Sequence, residues 1–166
     1  MTARNLTRCI IASMIAACGA ATFVQAAVTV NCTASASGIA FGIYNPLNAV
    51  SDASTGSLKV TCNGSGSGTV NVTLNVTLST GMSGTYSPRK MFSGANSLNY
   101  NIFWSAAYNQ IIGDGTGGSF AGTAGPFPVA AGGSNTATGT LYGLIPASQD
   151  VVPGAYSDVI TVTVTY

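Results

Sequence analysis

From Val70 to Leu78 the chain alternates without a fault, Val70, Val72, Leu74, Val76 and Leu78 against Asn71, Thr73, Asn75 and Thr77. A period of two built from β-branched and aliphatic residues predicts a strand with one buried face. The stretch from Tyr156 to Tyr166 repeats the pattern. Ile160, Val162, Val164 and Tyr166 fall on one face and Thr161, Thr163 and Thr165 on the other. Shorter strands are predicted at Val28–Thr33, Ile39–Tyr44, Ser57–Asn63, Leu98–Phe103, Gly118–Ala124 and Thr136–Leu144. Turn chemistry separates them at Asn45-Pro46, at Asn63-Gly64 with the Gly/Ser run to Gly68, at Gly81–Gly84, Gly113–Gly118, Ala131–Ser134 and Pro153-Gly154. No sustained helical period follows residue 26. Short strands at this spacing predict an all-β antiparallel sandwich. A strand as apolar and regular as the last must have its edges paired or covered.

The N-terminus has a different pattern. Arg4 and Arg8 precede an apolar run from Cys9 to Val24, and Val24-Gln25-Ala26 stands ahead of Ala27. This predicts a secretory signal over residues 1–26, cleaved between Ala26 and Ala27. A membrane anchor is the rival, but the run is short of the roughly 20 residues a spanning helix needs. Ser13, Gly19 and Thr22 also dilute it. A second rival is the lipoprotein-like box Ile15-Ala16-Ala17-Cys18, which would lipidate Cys18 and leave Val24-Gln25-Ala26 without a purpose. Residues 27–166 then form one domain, large enough for a core of its own.

Two cysteines remain after cleavage. Cys32 and Cys62 are an even pair in an exported chain, and one disulfide is predicted between them. Closing a loop of about 30 residues stabilises by roughly 3.5–4 kcal/mol in the chain-entropy account.

Charge is sparse in residues 27–166. Lys59, Arg89 and Lys90 oppose Asp52, Asp114, Asp150 and Asp158, so the balance is 3 − 4 = −1. No basic stripe is present for nucleic acid and no polybasic segment for an anionic membrane. The chain has no His, and its acids are all Asp. Imidazole-based metal sites are thereby excluded. A serine nucleophile would have to find its base among two lysines and four scattered aspartates. Carboxylate-pair hydrolysis needs two placed acids, whereas Asp150 and Asp158 flank the Pro153-Gly154 turn. The expectation is a protein that is not an enzyme, with no catalytic residue, cofactor, metal or small-molecule substrate. Two weaker patterns read as structure. Gly113–Gly118 is a hairpin loop rather than a calcium turn, and Tyr86, Tyr100, Phe103, Trp104 and Tyr108 are core rather than a sugar platform.

Several motifs occur in order along the chain. Cys32 is followed by Phe41-Gly42-x-Tyr44-x-Pro46 and Gly56-x-Leu58-x-Val60-x-Cys62. Tyr86-x-x-Arg89-x-Met91, Leu98-x-Tyr100-x-Ile102-Phe103 and Gly113-Asp114-Gly115-Thr116 come next. Tyr142-Gly143-x-Ile145-Pro146 and Pro153-Gly154-x-Tyr156-x-Asp158 close the series. Taken together over residues 32–166, this set resembles the spore coat protein U domain, shared with archaic chaperone–usher pilins. Ile112 stands where relatives often carry Trp.

The resemblance implies an incomplete immunoglobulin-like antiparallel β-sandwich that awaits a donor strand. It implies a structural subunit of a surface fibre, serving adhesion or biofilm formation and exported through the periplasm of a Gram-negative bacterium. Its partners would be a periplasmic chaperone, an outer-membrane usher and sister pilin subunits. Ile160, Val162, Val164 and Tyr166 would border the acceptor groove. Only Ala27 to Asn31 precede Cys32 after cleavage. With Val28 and Val30 as its apolar positions, that arm is short for a donor strand, which predicts an end or minor subunit. The alternatives are a tip adhesin binding a glycan or surface, and a secreted coat protein that packs by edge pairing.

Overall fold

Hydrogen bonding sorts the chain into two antiparallel sheets in the computed structural model, which describes residues 27–166. The expected signal segment 1–26, with Cys18 and Ala26, lies outside the described residues. The strands are β1 (Thr29–Ser37), β2 (Asp52–Ser65), β3 (Thr69–Leu78), β4 (Arg89–Ser93), β5 (Asn96–Phe103), β6 (Gly122–Ala130), β7 (Ser134–Ile145) and β8 (Val162–Thr165). A 3-10 turn, Gly81–Ser83, follows β3. The first sheet runs β1-β2-β7-β5-β4 and the second β6-β3-β8. The architecture is the all-β sandwich that the alternation predicts.

The inward rows meet between the sheets. Leu58, Val60 and Cys62 of β2, with Leu141 and Ile145 of β7, face Val72, Leu74, Val76 and Leu78 of β3. Each is buried, while the Thr and Asn between them face solvent as strand periodicity requires. Cys32 and Cys62 stand opposite one another in the β1–β2 ladder and are joined by the disulfide, with Cα atoms 4.0 Å apart.

Four segments differ from the sequence expectation. Ile39–Tyr44 forms no ladder; within it only Tyr44 bridges, to Gly154. Its apolar side chains instead pack on the sheet, where the Phe41 ring meets Tyr100 edge-on at 6.3 Å. Gly143 makes the room, since a Cβ there would stand 2.5 Å from Phe41 Cζ. The strand expected at Gly118–Ala124 is displaced and runs from Gly122 through Pro126 and Pro128 to Ala130. Edge strands and bulges tolerate proline, and β6 is an edge whose ladder with β3 shifts register between Val72 and Leu74. Gly125 sits in that irregularity at φ +109°, with Val72 O 2.5 Å from where a Cβ would be.

β4 lies outside every expected strand, because Arg89-Lys90 interrupts any apolar alternation. The terminal segment, expected as one strand, is divided between the sheets. Ser157 bridges to Phe92 of β4, and Val162–Thr165 pairs with β3. Strands that turn a corner in this way are a known feature of sandwiches.

Candidate functional site

β8 and β1 are the edges of different sheets, and the seam between them is open. Ser79 N–H donates to Thr161 O at 2.9 Å, and Thr161 lies opposite Ser79 in the β3–β8 register. Antiparallel alternation then points the backbone groups of Thr161, Thr163 and Thr165 toward β3 and those of Ile160, Val162 and Val164 outward. Across the seam, Cys32 N–H donates to Tyr166 Oη at 3.2 Å, so it points away from β2. The same alternation turns the backbone of Val30, Ala34 and Ala36 to the seam. Both edges therefore offer unladdered N–H and C=O groups to the gap.

The side chains along the seam are incompletely covered. Ile160, Val162 and Val164 are only half-buried although they occupy the inward row, and Tyr166 is exposed. On β1, Ala34 and Ala36 share the inward row with Cys32 through their partners Val60 and Leu58, yet both are exposed. A cavity of about 470 Å³ opens there, lined among others by Ala36, Ile39, Phe41, Tyr156, Ile160 and Val162. Its floor is core, formed by Leu98, Ile102, Leu141 and Ile145. Val28 precedes β1, and Val30 is half-buried and opposite Gly64 in the β1–β2 ladder.

A polar cluster fixes the chain as it enters the seam. Asp158 Oδ2 accepts from Tyr100 Oη–H at 2.7 Å, and its Oδ1 accepts from Met82 N–H and Val159 N–H, each at 2.8 Å. This carboxylate ties the 3-10 turn to the segment that leads into β8. Burial, reinforced by the hydrogen bond and charge of Asp158, pushes Tyr100 far above the ordinary phenol range. Behind it lies Arg89, which is fully buried. Its Nε and Nη2 donate to Ser79 O, its Nη1 to Asn101 Oδ1 and its Nη2 also to Ile112 O. The Tyr86 ring lies 4.9 Å from the guanidinium carbon. Burial lowers the Arg89 pKa, but a guanidinium keeps its proton. The sequence marked Arg89 only as a motif position. Its role, crosslinking β3, β5 and the strand-to-loop region at Ile112, depends on contacts distant in the chain.

The remaining candidate signals are structural. Asp114 Oδ1 accepts from both the hydroxyl and the N–H of Thr116, at 2.7 and 2.9 Å, and those hydrogen bonds lower its pKa. The carboxylate thus closes its own loop. Among the described residues, no group of three His, Cys, Asp or Glu side chains gathers to hold a metal. Tyr86, Tyr100 and Phe103 are core residues, and Tyr108 packs edge-on against Phe103 at 5.4 Å. Ser87 and Lys90 have the Ser-x-x-Lys spacing of some serine nucleophiles. Here that spacing spans a turn and the start of β4 rather than a helix face.

The Spore Coat Protein U domain model matches residues 19–163, and the chain belongs to that family. No curated protein matches it. Its fold is similar to a chain in the crystal structure of the CsuC–CsuE chaperone–tip adhesion subunit pre-assembly complex, from the archaic chaperone–usher Csu pili of Acinetobacter baumannii. The TM-score is 0.56 at 23% identity, and the match covers 83% of this chain but 40% of that chain.

Proposed function

We propose that this protein is a structural subunit of a chaperone–usher-type surface fibre and that the seam between β8 and β1 accepts a strand from a partner. The observation that carries the reading is the pair of facing, unladdered edges whose inward rows, Ile160, Val162 and Val164 on one side and Ala34 and Ala36 on the other, are incompletely buried. An extended segment laid there would ladder with both edges and place alternate apolar side chains over Ile160, Val162, Ala34 and Ala36. Each large aliphatic side chain gains roughly 1.5–3 kcal/mol on full burial. The open seam thus forfeits several kcal/mol against a net stability of about 5–15 kcal/mol.

In this reading a periplasmic chaperone lends the strand during export, an usher threads the subunit outward, and a sister subunit replaces the chaperone in the fibre. The product serves adhesion or biofilm formation at the cell surface. The subunit acts as a scaffold and not as a catalyst. Thr29 to Asn31 are already paired with β2, which leaves only Ala27 and Val28 free after cleavage at Ala26–Ala27. This supports an end or minor position, accepting a strand without donating one.

Co-expression with a cognate chaperone tests the proposal. The mature chain should accumulate and purify as a one-to-one complex, whereas alone it should aggregate or be degraded. Equal yield of soluble, stable monomer without any chaperone would overturn it.

A further inference from the structure

β1 leaves its ladder where the seam opens. Its last pair is Ser37 with Ser57, and residues 38–42 then cross the inner face of the sheet outside any ladder. Two glycines on the inward rows make the crossing possible. A Cβ on Gly56 would stand 2.7 Å from Ser37 O and 2.9 Å from Ile39 Cγ1. One on Gly143 would stand 2.5 Å from Phe41 Cζ and 2.7 Å from Ile39 Cγ2. The Ser54 hydroxyl holds the segment by donating to Ala40 O at 2.7 Å, and the Phe41 ring reaches Tyr100 on β5. Phe41, Gly56 and Gly143 are far apart in the chain and belong to three different sequence motifs. They meet at one place.

That place is the wall of the seam cavity. Ile39 and Phe41 line it together with Tyr156 and Ile160. Its three tyrosines offer it rings rather than hydroxyls. Tyr44 Oη accepts from Gln149 N–H, Tyr100 Oη–H donates to Asp158 and Tyr156 Oη–H donates to Val152 O. Among the described residues that line the cavity, Asp158 alone is charged, and its oxygens already accept three hydrogen bonds. A charged guest would be buried there without a free partner. At the other end of the seam the Tyr166 phenol already fills the gap. Six residues of strand, roughly 20 Å at about 3.3 Å each, separate Tyr166 from Ile160.

We infer that Ile39 and Phe41 select the strand that the seam accepts, by sizing its open end for one bulky uncharged side chain, aliphatic or aromatic. This selection rests on the proposal that the seam accepts a strand, and it gives that strand a residue pattern. The large side chain sits beside Ala36 and Ile160, and smaller ones pass Ala34 and Val164. The same pocket fixes register. A slip of one residue turns every side chain to the other face. A slip of two carries the bulky one to Ala34 and Val164, which lie outside this cavity.

Invasion of the one-to-one complex with the cognate chaperone tests the inference. Three synthetic strands of alternating Val and Thr, differing only in Ala, Phe or Trp at the inward position beside Ala36, compete for the chain. Native mass spectrometry reads the fraction transferred to each. The wild type should favour Phe over Ala by about tenfold or more, as burial of one large apolar side chain requires. Phe41→Ala enlarges the pocket and should move the optimum to Trp. Gly143→Ala lifts Phe41 and Ile39 into the pocket and should bring Phe and Ala near parity. Ile39→Ala and Ile39→Phe replace these two variants if either complex fails to form. A general loss of stability would weaken all three strands alike and leave their order unchanged, so a shifted order is the mark of selection. The same order and ratios in the wild type and both variants overturn the inference and leave strand acceptance standing. Transfer of the wild type to none of the three overturns strand acceptance, and the inference with it.

Discussion

The Tyr166 hydroxyl accepts the Cys32 N–H across the seam at 3.2 Å, joining the outer edges of β8 and β1 at one end. A phenol ring and a hydrogen bond fill the gap there, so the edges stand farther apart than the ~4.8 Å of neighbouring strands. Toward Ala36 and Ile160 nothing comparable spans the gap, and the cavity opens there. A strand entering from that side would reach Tyr166 last and would compete with it for the Cys32 N–H. Tyr166→Phe should therefore speed association of a donor peptide by up to about fivefold, the equivalent of one net hydrogen bond of ~1 kcal/mol. Stopped-flow fluorescence with a labelled peptide reads the rate, and an unchanged rate would show that Tyr166 does not gate the seam.

Arg89 makes its contacts through a planar fork that a lysine cannot reproduce. Arg89→Lys should leave Ile112 O or Asn101 Oδ1 without a buried donor and destabilise the fold by on the order of 3 kcal/mol. Urea unfolding with the slope held common to both proteins measures the loss. A change below ~0.5 kcal/mol would mean that the cluster contributes little.

Tyr100 supplies a pH dependence with a definite sign. Its proton is held more tightly in the folded chain than in the unfolded one, where a phenol titrates near 10. The stabilisation is complete below about pH 10 and is lost as pH rises above it toward the raised folded value. Tyr100→Phe should lower stability at neutral pH by about 1–2 kcal/mol. It should also flatten the decline between pH 10 and 11.5, which thermal melts across that interval would reveal.

The Cys32–Cys62 bond links β1 to β2 across a sequence separation of 30. Reduction should cost roughly 3.5 kcal/mol and loosen β1, one wall of the seam. Melts with and without dithiothreitol, paired with intact mass showing two hydrogens fewer in the oxidised form, check both points.

Much of the sandwich was legible because alternation reports burial directly. Val72, Leu74, Val76 and Leu78 are all buried, as their spacing indicates. The seam was visible only in outline. Ile160, Val162 and Val164 announce an inward row, but their half-burial depends on Ala34 and Ala36 being uncovered across the gap. Small residues give no hydrophobic signal of that kind. β6 runs beyond the expected Gly118–Ala124 through Pro126 and Pro128, which break the strand pattern in the sequence and which only its edge position makes tolerable. Ile39–Tyr44 carries strand-like residues, yet they pack over Gly143 without joining a ladder. Arg89 could not be placed in the core from sequence, since an arginine is buried only where distant carbonyls converge on it.

The most direct test of strand acceptance is the melting temperature of residues 27–166 with and without a strand of alternating Val, Ile and Thr fused after Tyr166 through a short Gly/Ser turn. Filling the seam should raise the melting temperature by at least 10 °C, since burying two or three aliphatic side chains gains several kcal/mol. Val162→Asp in the fused protein should erase that gain, because the carboxylate would be buried without a partner. An unfused chain that is already monomeric and highly stable, and that gains nothing from the added strand, would contradict the account.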